Sequence, residues 1–356
     1  MKRQLSIALV KYGIGLGLLA FMIWRNWQPP SGIGIADALR MPLQIGPLLA
    51  AVLILTASVL LTFTRWYILV RAQELPFTLW NGLRLGWMGF FFSTFLPGSV
   101  GGDLFKAAFI AREQSRRTVA VATVVIDRII GLWGLFWLVV LSGAIFWLVD
   151  EPALRENAVL QAVVFGSAGI CAASVLIWLV SGILTEAQSA RFADSLTRWL
   201  PKVGGIAAEL WRALWLYRCR GKIVVLTLLM SLVGHVGFVL TFFYATRTFL
   251  QPDQVSTLPT LAENFLLVPV GMTIQAGFPT PGGLGGGEAA FGWLFAATGS
   301  AEATGVLAAL VTRMIYWCLA FAGYFAYAGI KPASPDNQRV SETSSFVQTL
   351  HRCALR

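Results

Sequence analysis

Two stretches of this chain, Pro47–Val70 and Ile223–Leu240, carry a single arginine, Arg65, in 24 and 18 consecutive residues. As helices, both are long enough to cross a hydrocarbon core of about 30 Å. Soluble folds space their apolar residues every second position or every three to four; here they run in blocks. Over 356 residues the chain is 57% hydrophobic and 12% charged, against roughly 25% charged in soluble domains. The fold class is therefore all-α, a polytopic membrane protein. Lys and Arg outnumber Asp and Glu by 27 to 17, which on such a chain reflects loops facing anionic lipid rather than nucleic acid.

The blocks predict about six full crossings, near 8–24, 47–70, 118–149, 159–183, 221–247 and 304–329. Lys2, Arg3 and Lys11 place the N-terminus in the cytoplasm by the positive-inside rule. Lys11 and the absence of a small-residue cleavage site after Phe21–Trp24 make the first block a retained helix rather than a signal peptide. Arg65, Arg71, Lys106, Arg112, Arg116 and Arg117 mark the next cytoplasmic side. Asp150–Asn157 and 248–262 read as external. Segment 184–222 is basic, with aromatic residues spaced by three or four, and reads as amphipathic helices on the cytoplasmic leaflet. Lys331 keeps the C-terminus inside, ahead of a disordered tail over 331–356. Four cysteines and two histidines fit neither a disulfide framework nor a zinc site, so no metal or cofactor is expected.

Two regions fit no simple crossing. Segment 81–96 is 16 residues, about 24 Å of helix, and breaks at Pro97-Gly98 before a second leg ending at Arg112. Segment 263–278 breaks at Pro279-Thr280-Pro281-Gly282 and is followed by 284–298. The flanking charges make the first a re-entrant hairpin opening inward and the second one opening outward. Crossing, hairpin, crossing then occurs twice, at about 47–149 and 221–329, in one transmembrane domain spanning 1–330. That is the pattern of an inverted-topology repeat, in which broken helices present their N-termini to an anionic group.

The breaks resemble each other: Pro97-Gly98-Ser99-Val100-Gly101-Gly102-Asp103 and Pro281-Gly282-Gly283-Leu284-Gly285-Gly286-Gly287-Glu288. Asp103 precedes Arg128 by 25 residues, Glu288 precedes Arg313 by 25, and the two pairs are offset by 185. Charge inside a membrane segment is a functional hypothesis by default, so Arg128, Arg313, Asp103, Glu288, Asp127 and Lys106 are the candidate substrate-binding residues. A merely structural role would make Asp103 and Glu288 helix-end charges and Asp127 the partner of Arg128. Lys106 falls either on a hairpin leg or at the interface, while Arg65 and Arg84 read as interfacial side chains reaching for water. The glycines and prolines of the breaks, Pro97, Gly98, Gly101, Gly102, Pro281, Gly282, Gly283 and Gly285, would allow close backbone approach.

At these motifs the chain resembles the lysylphosphatidylglycerol synthase transmembrane-region family, flippase-like membrane proteins. The resemblance rests on Phe95–Asp103 followed by Asp127-Arg128, and on Pro279–Gly285 with Glu288 and Arg313. It extends over roughly residues 8–330. It implies a prokaryotic plasma-membrane protein that moves lipids, such as aminoacylated phosphatidylglycerol, between leaflets. Relatives often have glutamate where Asp127 stands. Relatives that make the lipid carry a large soluble synthase domain after the membrane region, and the sequence ends at Arg356, so a transporter rather than a complete catalyst is expected. Two other readings stay open. One is a transferase acting on polyprenyl-phosphate sugars, although no Asp-x-Asp pair is present to hold a metal. The other is a scaffold for a separate lipid-modifying enzyme.

Overall fold

The computed structural model describes residues 2–29, 34–96, 101–150, 152–155, 157–200, 204–249 and 258–328. The described residues form helices and their connections, in the order α1 (Lys2–Arg25), α2 (Ile35–Arg40), α3 (Ile45–Ala72), α4 (Leu79–Phe95), α5 (Gly101–Glu113), α6 (Arg117–Leu148), α7 (Pro152–Arg155), α8 (Ala158–Ile183), α9 (Glu186–Trp199), α10 (Gly204–Leu216), α11 (Gly221–Thr246), α12 (Leu261–Gly277), α13 (Gly286–Ala297) and α14 (Glu302–Ala328). Five of them, α3, α6, α8, α11 and most of α14, are long and apolar enough to cross a membrane. The first expected crossing, 8–24, falls on α1, a helix of 24 residues that is not among these five. The expected disordered tail, and Pro97 and Gly98 of the first break, lie outside the described residues.

At the two expected hairpins short helices pair, α4 with α5 and α12 with α13, and side-chain capping sets where the first of each pair begins. Thr78 accepts the Asn81 amide at 3.2 Å to start α4. At α12, Thr260 and Glu263 exchange bonds as a capping box, 3.2 and 2.7 Å long. The legs are then pinched together at glycine. A Cβ on Gly102 of α5 would stand 2.0 Å from the Gly89 carbonyl oxygen of α4, and one on Gly271 of α12 would stand 2.3 Å from the Phe291 ring of α13. Without a Cβ the legs approach closely enough for dispersion to hold them where lipid offers no hydrophobic drive.

The packing of one half is repeated in the other. The α3–α4, α4–α5, α5–α6 and α3–α6 contacts correspond to α11–α12, α12–α13, α13–α14 and α11–α14, and the cross-contacts α4–α14 and α6–α11 to α12–α6 and α14–α3. The matched helices α3 and α11 pack against each other in opposite directions. The Gln44 amide donates to the Thr248 carbonyl at 2.8 Å, Ser58 abuts Gly237, and Arg65 reaches Ser231 at 2.9 Å. Apolar cores lie on both sides of this axis, one around Val239, Phe242, Leu266, Phe291 and Phe295, the other around Leu55, Phe63, Trp87 and Ile315.

The basic stretch after α8 folds as the antiparallel pair α9 and α10, with Trp211 Nε1 donating to Ser189 Oγ at 2.9 Å. Helix α1 lies across the two hairpins. Tyr12 donates its hydroxyl to the Phe95 carbonyl at the end of α4, while Gly15 touches Thr280 and Gly285 at the second break.

Candidate functional site

The end of α4, the start of α5, the second break and helices α6 and α14 converge on one cavity of about 410 Å³. Helix α6 supplies two charges to it, Asp127 and Arg128. Adjacent residues on a helix lie about 100° apart and cannot face one another. Asp127 therefore turns to α3, where it accepts from Arg65 Nε at 2.8 Å, and Arg128 turns to α5, where Nη1 donates to Asp103 Oδ2 at 2.7 Å. The Asp127–Arg128 pairing that a merely structural role would call for is replaced by these two partners.

Lys106 joins the two pairs. One turn beyond Asp103 on α5, its Nζ lies 3.5 Å from Asp103 and 3.8 Å from Asp127, and 4.9 Å from the centre of the Trp66 ring, a cation–π distance. The result is a line of alternating charge, Arg65, Asp127, Lys106, Asp103, Arg128. Arg65 belongs to this line and not to an interface: it is buried, and it also donates to Ser231 Oγ at 2.9 Å and to the Asp127 carbonyl at 3.1 Å. Burying it requires those bonds, because an unpaired guanidinium would be costly to desolvate. Arg84, also expected at an interface, is buried at 8% exposure with Nε lacking a partner.

The second break supplies the opposite wall. The run Pro281–Gly283 is a single 3-10 turn, with Gly282, Gly283 and Gly285 at φ of 54°, 67° and 78°, a region that side chains with a Cβ disfavour. This conformation turns the carbonyls of Gly282 and Gly283 toward Arg313, which donates to them at 3.1 and 3.3 Å. Its Nε donates to Glu288 Oε1 and its Nη2 to Oε2, the latter at 3.1 Å. Glu288 in turn accepts the Gly285 amide at 2.8 Å at the start of α13, where the helix dipole also favours a carboxylate. Four of the five guanidinium donors of Arg313 are thus engaged by its own half of the molecule. Gln275 steadies the turn through a 3.0 Å bond to the Gly282 carbonyl, and a Cβ on Gly282 would stand 3.0 Å from the Thr94 carbonyl of α4. The two hairpins meet there.

Arg65, Lys106, Arg128 and Arg313 line the cavity with Asp103 and Asp127, while Glu288 stands fully buried behind Arg313. Four cations face three carboxylates, in a chamber whose remaining wall is largely aromatic and aliphatic, including Phe90, Phe238, Tyr316 and Trp317. Such a chamber favours an anion that brings apolar surface with it. His235 also lines it. Its Nε2 lies 2.8 Å from the Gly131 carbonyl, so that nitrogen carries the proton, and Nδ1 has no partner. Of the residues singled out in the sequence, Asp103, Lys106, Asp127, Arg128, Arg313 and Gly282 line the cavity. Arg65 and His235 are additions that only the fold reveals.

No curated protein and no solved structure matches the chain. The family model described as the lysylphosphatidylglycerol synthase TM region matches residues 7–323, a span containing both hairpins and every charged group of the cavity. The chain belongs to the lysylphosphatidylglycerol synthase transmembrane-region family, integral membrane proteins concerned with lipid modification or flipping.

Proposed function

We propose that the protein is a translocase that receives the phosphate of a lipid headgroup in the charged cavity and passes the lipid between leaflets. One observation carries this reading: charged side chains from both halves converge on a single cavity with cations in excess. Arg128 is the first contact. Its side chain is 35% exposed and bound to Asp103, itself 19% exposed, so an incoming phosphate meets a partly exposed cation whose carboxylate partner is also open to it. As the phosphate takes Arg128, Asp103 is retained by Lys106, its second cation, and no carboxylate is left unpaired. Arg313 completes the anionic site from the other half, and Asp127 and Glu288 hold the remaining cations in place. Acyl chains stay in the surrounding bilayer.

The opposite run of α3 and α11, and the paired contacts of the two halves, support an inverted-topology repeat. In this reading the hairpins α4–α5 and α12–α13 re-enter the membrane from opposite faces and alternate as gates. The termini then face the cytoplasm and the protein resides in the plasma membrane.

Reconstitution into vesicles with headgroup-labelled phospholipids and polyprenyl phosphates tests this. Leaflet exchange above that of empty vesicles is expected for at least one phosphate lipid, falling by about tenfold or more in Arg128→Gln, the loss of one charge-assisted hydrogen bond. Exchange no faster than in empty vesicles across the whole panel would refute the reading.

A further inference from the structure

A second recess, of about 390 Å³, lies beside the charged cavity, and Leu132 of α6 lines both. Its walls come from α6, α8, α9, α10 and α11 and are almost wholly apolar, with Ile130, Trp133, Phe136, Ile177, Trp178 and Trp211 among them. Leu132, Ile170 and Ile177 at its mouth are exposed, on helices whose length and composition suit a bilayer. The recess therefore opens toward lipid.

Two further features limit what can fill it. The chain between Tyr217 and Val224, both of which line the recess, carries Arg218, Arg220 and Lys222. Arg220 pairs with Glu74 at 3.0 Å and Arg218 stacks on Trp215, whereas Lys222 is exposed. The whole segment 184–222 has seven basic residues against three acidic ones. Finally, α8 is the least embedded of the five candidate spans, with 11% of its apolar window buried inside the protein, so it has few protein contacts to fix its position.

We propose that this recess holds one acyl chain of a resident anionic glycerophospholipid, drawn from the leaflet at the basic end of the molecule. The chain fills the gap beside α8. The rings of Trp133 and Trp178 pack against the acyl chain, and the phosphate lies at the rim by Lys222. The lipid seats α8 and the α9–α10 pair on the bundle, and the site is separate from whatever occupies the charged cavity.

The test uses full-length protein exchanged into nanodiscs of equal phosphatidylglycerol and phosphatidylcholine, then released for native mass spectrometry. A phosphatidylglycerol bearing a diazirine on its acyl chain is cross-linked in parallel. One retained phosphatidylglycerol per chain is expected, favoured over phosphatidylcholine by about fivefold, what one nearby basic side chain contributes. Cross-links should concentrate on α6 and α8 around Trp133 and Trp178. Lys222→Glu should bring the preference close to parity, and Trp133→Ala, which removes one wall of the recess, should reduce retention severalfold in a protein that still elutes as a single species. Equal retention of the two lipids by the wild type, or cross-links spread evenly over outward residues such as Leu53 and Leu148, would overturn the proposal. So would retention lost in Arg128→Gln, because the lipid would then belong to the charged cavity.

Discussion

Asp103–Arg128 and Glu288–Arg313 occupy matched places in the two halves, 25 residues apart in each, and their surroundings differ. Glu288 is fully buried and Arg313 nearly so, at 0% and 8% side-chain exposure, with the carbonyls of Gly282 and Gly283 taking further donors. Asp103 and Arg128 are 19% and 35% exposed, and Asp103 has a second cation in Lys106. The first arrangement clamps a broken helix in shape. The second can open without stranding a charge. The same spacing of acid and arginine thus serves as a fastening in one half and, on the proposed reading, as a docking point in the other.

The comparison can be broken most readily at Glu288. Glu288→Gln leaves a buried arginine uncompensated, and about 3–5 kcal/mol of stability should be lost, read as a large fall in thermal midpoint in detergent. Asp127→Asn should follow closely, since Arg65 is buried on the other side of that bond. Equal destabilisation by Asp103→Asn would erase the distinction between the pairs.

The hairpin pinches give the next largest effect. Gly102→Ala would drive a methyl into the Gly89 carbonyl, 2.0 Å away, and the Ser93 hydroxyl, 2.1 Å away. Backbone cannot yield cheaply, so a cost of about 2–3 kcal/mol is expected. Gly271→Ala meets the far edge of the Phe291 ring instead and should cost about 1 kcal/mol as the ring shifts. The order of the two midpoints checks this, and a reversed order would contradict the contact geometry.

The smallest stability change is expected at Asp103. Asp103→Asn should alter stability by no more than about 1 kcal/mol, because the pair is partly solvated. It also removes the carboxylate that competes for Arg128, so the apparent affinity for a phosphate lipid should rise by about two- to tenfold. Titration of lipid in the exchange assay measures it, and weaker binding would mean that Asp103 takes part in holding the ligand.

Much of this site was legible because charge is scarce in the apolar blocks. A repeated interval from carboxylate to arginine stands out where few of either occur, and both intervals close as ion pairs. Arg65 was not legible. An arginine near the end of an apolar block looks like one that reaches for water, and its partner Asp127 is 62 residues away with no local pattern to connect them. The adjacency of Asp127 and Arg128 misled in the opposite direction, although helical geometry alone excludes facing neighbours. The ends of α4 and α12 followed from proline and glycine, while the pinch glycines needed the packed legs to show what each would strike.

Exchanging the charges within each pair tests the central claim most directly. Asp103→Arg with Arg128→Asp, and Glu288→Arg with Arg313→Glu, would be compared for thermal midpoint and for leaflet exchange of a phosphate lipid in the same vesicles. The account predicts that the first swap abolishes exchange and lowers the midpoint less than the second does, because Lys106 loses Asp103 but keeps Asp127, whereas the second collapses the midpoint because the reversed pair cannot satisfy the Gly285 amide or the Gly282 and Gly283 carbonyls. Undiminished exchange in a well-folded first swap would contradict it.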